Sequence, residues 1–329
     1  MERNKDSAEN GVWLGASGYV TRTADGSEIE IGPHRSYVGI SFEHRDLSRL
    51  SLTSCEFVDC TFTNCKIYRT DFSHSIISNT SFVNCELIDS SFLWTNFSAV
   101  RLTKCSMDKA RMNQGELKNV VFDDCCLSDA LFYDASIDKT SFVDCAMNDA
   151  KFGKSALTDS SLTGCSLDFA FFSYCTVSRT AFEKCHALNQ HVIFFEASIM
   201  DCCFTMNDFD EAYVNHVTYK SVTLDRCGFW KSKFAATTFD DCRLTHSGFN
   251  ESAFGNVVFT STEIDACRFR VAKFEDVIFD GSLVGHCAFE RADLSDSVLI
   301  DTLFECNDLG RGTEYEVLFD RIADEVGSE

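Results

Sequence analysis

Eighteen cysteines in 329 residues are the first candidates for chemistry. They suit three tasks: ligating zinc, forming a disulfide framework, or supplying a nucleophile. Their spacing argues against all three. In "CEFVDCTFTNC" (residues 55–65), Cys55, Cys60 and Cys65 stand five apart. Zinc sites bring their ligands together through close pairs such as C-x2-C. Further on, Cys65, Cys85, Cys105, Cys125, Cys145, Cys165 and Cys185 follow one another at steps of 20. Thiols stacked by such a step keep parallel side chains about 4.8 Å apart, outside disulfide range. The adjacent pairs Cys125–Cys126 and Cys202–Cys203 point in opposite directions. The eight histidines form no nucleophile constellation, and His186 is expected outward where Cys185 is inward. No G-x-S-x-G, HExxH or phosphate-loop motif is present. The expectation is a protein without catalytic residues, cofactor or metal, whose thiols pack as small hydrophobes.

The elements that would hold these residues follow from a second regularity. From Phe42, every fifth residue to Phe182 is large and apolar, and a second walk runs from Ile199 to Leu309. Of the 31 phenylalanines, 26 lie on the two walks. The position two before each large residue is restricted, mostly to small residues, and 15 of the 18 cysteines sit there; Cys126, Cys203 and Cys306 do not. No helix has a period of five, and a flat strand alternates by two. A chain that turns a corner every five residues fits, with one large and one small residue inward on each side. Four sides make a coil of 20, the step of the cysteine column. The single proline, Pro33, lies before the repeat, in keeping with a fold that uses every backbone N–H.

The units "RTDFS" (69–73), "MNDFD" (206–210), "RADLS" (291–295) and "CNDLG" (306–310) carry a resemblance. The chain resembles the pentapeptide-repeat family over residues 40–309. It departs from that motif in using Cys, Ser and Thr where Ala is common, and Phe more than Leu. The resemblance implies an all-β, right-handed quadrilateral β-helix, a pentapeptide-repeat solenoid. Fifty-two units at four per coil give about 13 coils, a rod of roughly 60 Å at the sheet spacing. The phase shifts by two residues within "HALNQHVIFFEAS" (186–198). The cysteine column resumes at +2 through Asn207, Cys227, Ser247, Cys267 and Cys287, which favours an insertion over a deletion. This is a kink or a partner-contacting loop that would present His191, Phe194 and Phe195.

Residues 1–39 read as an N-terminal tail and a capping hairpin. Residues 310–329 place Tyr315, Leu318, Phe319 and Ile322 at helical spacing. A short C-terminal helix there caps the last coil. The resemblance implies a second use, pairing two copies as a homodimer.

The 51 acidic and 29 basic residues give a formal charge of −22. Direct nucleic-acid binding is improbable at that charge, and a basic protein partner is favoured. No apolar run approaches membrane-spanning length, and no signal peptide is evident, so a reducing, cytoplasmic compartment is expected. Secretion without a cleaved signal stays open. Between 123 and 149, Asp123, Asp124, Asp129, Asp134, Asp138, Asp144 and Asp149 oppose only Lys139, all at outward positions. They are the candidate partner face, against the alternative that Asp is simply a common turn residue. Trp94, Tyr133, Tyr174 and Trp230 are outward aromatics of the kind that anchor interfaces. Acidity and Phe-rich repeats resemble the quinolone-resistance-type members. That resemblance implies an antibiotic-resistance scaffold, a DNA mimic engaging type II topoisomerase (DNA gyrase or topoisomerase IV). The alternative is a secreted bacterial effector whose β-helix binds host proteins.

Overall fold

The structure is a computed structural model that describes residues 12–13, 19–187 and 191–310. The chain is an all-β parallel solenoid of about 13 turns. It divides into two compact units, residues 1–156 and 157–329. Among the described residues there is no helix. The expected C-terminal helix and its residues Tyr315, Leu318, Phe319 and Ile322 lie outside them.

In the first unit an antiparallel sheet of Val12–Trp13, Tyr19–Arg22 and Glu28–Ile31 precedes the coils. The four-sided stack already begins at Ser36–Val38, whose Tyr37 stacks on Phe57 at 4.8 Å. We label the walls by their place in the 20-residue period: A centred on Phe57, B on Phe62, C on Ile67 and D on Phe72. Walls A and B are parallel strands of three residues, each in register with the strand 20 residues on, as in Phe62↔Phe82 and Phe57↔Ile77. Walls C and D are tight turns joined by single bridges such as Lys66↔Glu86 and Asp71↔Ser91. Every central residue from Phe42 to Phe152 is buried.

The second unit is built differently. Walls A, B and D are all strands, as in Thr218–Lys220, Thr223–Asp225 and Tyr213–Asn215. Only wall C, centred on Phe209, Phe229, Phe249, Phe269 and Phe289, keeps the turn. These four later rings stack at 5.0–5.2 Å. The insertion is real and small. His186 bridges Asp208 and Phe171 pairs Ile193, both 22 residues on. The two extra residues therefore fall between Ala187 and Val192, and the repeat resumes before residue 198.

A turn is closed by the N–H of the third residue after the large one, donated back to its carbonyl: Ala130 to Leu127, Ala135 to Phe132, Ala212 to Phe209. The residue donating this N–H is Ala, Ser, Gly or Thr wherever the bond is formed among the described residues. The reason is space. A Cβ at Gly115 would lie 3.1 Å from the carbonyl oxygens of both Met112 and Thr95. After a strand the same position takes larger residues, including Cys60, Val100, Cys125 and Val217. Valine there also favours the extended backbone.

The position two after each large residue has φ near +50° in almost every repeat, from Asp59 and Asn64 to Asp301. This left-handed residue makes the corner. Asp, Asn and His tolerate it best among residues with a side chain.

Candidate functional site

The inward thiols come first because they prompted the search for chemistry. All 15 on-pattern cysteines are buried, and Cys126, Cys203 and Cys306 are exposed. The small position has a hydrogen-bonding task. In each repeat the N–H of the small residue and the C=O of the large one face inward. Ser75 Oγ accepts from the Cys55 N–H and donates to the Leu52 carbonyl, both at 2.9 Å. Thiols make the donor half of that bridge. Cys60 Sγ donates to the Tyr37 and Val58 carbonyls at 3.3 and 3.4 Å. Asn207 in the cysteine column makes both bonds, to the Cys185 N–H and the Phe182 carbonyl. Inward polar backbone is thus paired from the next coil, and an unpaired group there would be costly. The expectation of mere packing is extended by this: the thiols also satisfy carbonyls. Burial pushes Cys175 up to about 12 and Cys202, Cys227 and Cys242 up to about 11. Neutral thiols are poor nucleophiles. Burial, with the nearby carboxylates of Asp108 and Asp124, also raises the exposed Cys126. Among the described residues, no cluster of three His, Cys, Asp or Glu side chains could hold a metal ion.

The seven aspartates do not form one face. Asp124 and Asp144 stack at the corner between walls B and C, and Asp129 and Asp149 at the corner between C and D. Asp123 ends a strand of wall B beside the first corner. These five line wall C of the first unit. Asp134 sits at the corner between D and A, and Asp138 on wall A. Asp124, Asp129, Asp134, Asp144 and Asp149 are exposed, while Asp123 and Asp138 are half-buried. Five of the seven, all but Asp123 and Asp138, are left-handed corner residues with φ of 49–58°. Corner geometry therefore explains why Asp recurs; Lys104 and Lys109 hold the same columns one coil before Asp124 and Asp129. None of the seven makes an ion pair among the described residues. The described pairs of this unit are Arg22–Glu28, Arg35–Glu30 and Arg69–Asp89.

The second unit uses the coil step for opposite charges. Arg179–Asp159 (2.6 Å), Lys220–Asp240 (3.0 Å), Arg243–Glu263 (3.2 Å) and Arg270–Glu290 (2.7 Å) all join residues 20 apart. Sequence reasoning missed these ladders, although an opposite-charge search at a step of 20 finds them. It also missed residues 275–308, where nine acids oppose Arg291 alone.

The aromatic candidates are dispersed. Trp94, 51% exposed, lies parallel to His74 at the corner between walls D and A, 6.3 Å away. Tyr133, on wall D, carries Lys154 Nζ 5.4 Å from its ring. In the second unit, exposed Tyr174 meets half-buried Phe195 edge-on at 5.6 Å. On wall C, Lys231 Nζ lies 3.9 Å over the Trp230 ring, whose Nε1–H donates to Glu251 at 3.2 Å. His191 is half-buried, its Nδ1 3.6 Å from Glu211 Oε2. Phe194 must be corrected. It is 1% exposed, stacks on Phe172 at 5.1 Å and occupies a central core position of wall D. It was misassigned because the interruption ends earlier than residue 198. Among the described residues, no helix is long and apolar enough to cross a membrane.

The family model for a pentapeptide repeat region matches residues 75–152 and 222–299. No curated protein matches the chain. Among solved structures, a trypsin-treated variant of QnrB1, a plasmid-mediated fluoroquinolone resistance protein, is 16% identical, covering 46% of this chain and 81% of its own with a TM-score of 0.33. HetL, a pentapeptide repeat protein involved in heterocyst differentiation regulation in Nostoc sp. strain PCC 7120, is 11% identical, covering 83% and 90% with a TM-score of 0.23.

Proposed function

The chain belongs to the pentapeptide-repeat family, and on that premise we propose that it is a non-catalytic protein-interaction scaffold whose acidic wall C in the first unit receives a basic protein surface. One observation carries this reading: Asp124/Asp144 and Asp129/Asp149 stack like charge on like, and although Lys104 and Lys109 precede them by one coil in the same columns, none of the four carboxylates makes an ion pair among the described residues. Carboxylates one coil apart repel by about 1 kcal/mol in water. Arg69–Asp89 and the paired ladders of the second unit show that this fold accommodates a cation at the same step. A basic partner would relieve the repulsion on binding and be steered by it during approach.

The finer form of the proposal is DNA mimicry, in which the carboxylate rows stand in for phosphates at the DNA-binding surface of gyrase or topoisomerase IV. A supercoiling assay with purified gyrase, run with and without a fluoroquinolone, tests it. Dose-dependent inhibition of supercoiling, or relief of drug inhibition, supports mimicry. Neither effect at a tenfold excess of the chain rejects it and leaves other basic partners for the scaffold reading.

A further inference from the structure

The second unit is the more acidic half, with 29 acidic against 13 basic residues, a net of −16. Along its corner between walls C and D runs a groove where that balance reverses. One cavity, of about 640 Å³, is lined by His191, Tyr213, Lys231, Lys233, Glu211 and Glu251 among others. A second, of about 280 Å³, continues it past Trp230, Arg270, Val271, Glu290 and Arg291, and Glu251 lines both. The groove holds four cations against three carboxylates. Arg270 is committed to Glu290 at 2.7 Å, and Lys231 lies 3.9 Å from Glu251. Lys233 and Arg291 have no ion-pair partner among the described residues. Trp230, with Lys231 over its ring and its Nε1–H donated to Glu251, adds a partly exposed aromatic to the second cavity.

The described chain ends at this groove. Gly310 lies against Glu290: a Cβ on it would come within 2.9 Å of the Glu290 side chain. At least nineteen residues follow, 311–329, with six acids (Glu314, Glu316, Asp320, Asp324, Glu325, Glu329) against Arg311 and Arg321, a net of −4. They also carry Tyr315, Leu318, Phe319 and Ile322. We infer that residues 311–329 dock along this groove, their carboxylates meeting Lys231, Lys233 and Arg291 and their apolar residues covering Trp230 and Val271.

The reach is sufficient. Lys231 belongs to the coil four turns before that of Leu309, about 19 Å away at the sheet spacing. Six extended residues span that distance at about 3.3 Å each, so carboxylates from Glu316 onward arrive at the lysines. Docking would cover the base-rich strip of an otherwise acidic unit, whatever partner the first unit binds. Capping the last coil and pairing two copies are competing fates of the same segment.

Zero-length carbodiimide coupling on the full chain at low concentration distinguishes them. The expected result is isopeptide links within monomers between Lys231 or Lys233 and carboxylates of 316–329, mapped by mass spectrometry. Reversing charge with Lys233→Glu and Arg291→Glu is expected to cut coupling at Lys231 by tenfold or more. The conservative pair Lys233→Arg and Arg291→Lys should leave coupling at Lys231 within about twofold. Links to lysines elsewhere, links found only in dimers, or coupling indifferent to charge reversal would each overturn the inference.

Discussion

The two units share a period but not a construction. In residues 1–156 each coil has two strand walls and two turn walls, with Ile67, Leu87, Met107, Leu127 and Met147 along wall C. In residues 157–329 three walls are strands, and the remaining turn wall is aromatic from Phe209 to Phe289. Wall D shows a compositional bias that accompanies the switch. Its large residues are followed by Cys55, Ser75, Thr95, Gly115, Ala135 and Ser155 in the first unit, and by Cys175, Ala197, Val217, Thr237, Val257, Val277 and Ser297 in the second. A small residue leaves room for its amide to fold back on the preceding carbonyl. Valine, found there only in the second unit, fills that room and favours the extended backbone, whereas Thr95 still closes a turn. Size at this buried position biases the wall without deciding it alone, since Ala and Thr follow turns at Ala135 and Thr95 and strands at Ala197 and Thr237. The outward charges differ in degree: the first unit pairs opposite charges at the coil step in Arg69–Asp89 and then stacks Asp on Asp at 124/144 and 129/149, whereas the second forms several such pairs.

The largest expected effect separates the two versions of wall C. Phe249→Ala removes a ring stacked on Phe229 and Phe269 and should cost about 4–5 kcal/mol, whereas Leu127→Ala should cost about 2–3. Urea unfolding of the two variants measures this, and an equal or reversed order breaks the distinction.

Next in size is the response to alkali. Cys175, Cys202, Cys227 and Cys242 titrate at about 11–12 in the folded second unit, above an ordinary thiol value near 9. Because the folded values are raised, the stabilisation is complete below pH 9 and is lost as pH rises to 11–12. Each thiol accounts for roughly 3 kcal/mol at the top of that range. Melting temperature should hold below pH 9 and then fall, and Cys242→Ser should blunt the fall. A melting temperature flat to pH 11.5 contradicts buried neutral thiols.

The size bias is tested at smaller scale. Ala212→Val overfills a turn and should cost about 1–3 kcal/mol, while Ala197→Val, after a strand, should cost less than 1. If both cost the same, residue size does not bias the wall.

Much of this was legible before the structure. The walks through Phe57 and Phe204, the 20-residue column of Cys65 to Cys185 and the two-residue insertion all follow from inward side chains, which the core constrains tightly. The outward features were read less well. Phe194 resembles the half-buried Phe195 beside it, and only pairing with Phe172 shows which ring is inside. The aspartates were seen as one cluster because they are close in sequence, yet a chain that turns every five residues sends neighbours to different walls. The groove beside Trp230 is assembled from residues 20 and 40 apart and has no contiguous sequence signal.

The smallest stability effect bears most directly on function. Asp124→Asn, Asp129→Asn, Asp144→Asn and Asp149→Asn together keep residues that tolerate the corner geometry while removing both like-charge ladders. The decisive measurement compares this variant with the unaltered chain for melting temperature and for binding to purified gyrase, with basic proteins captured from native cells as the second probe. The expected result is unchanged or slightly raised stability, by less than about 1 kcal/mol, with binding weakened tenfold or more. Loss of stability with binding intact would show that the ladders serve the fold and that the partner surface lies elsewhere.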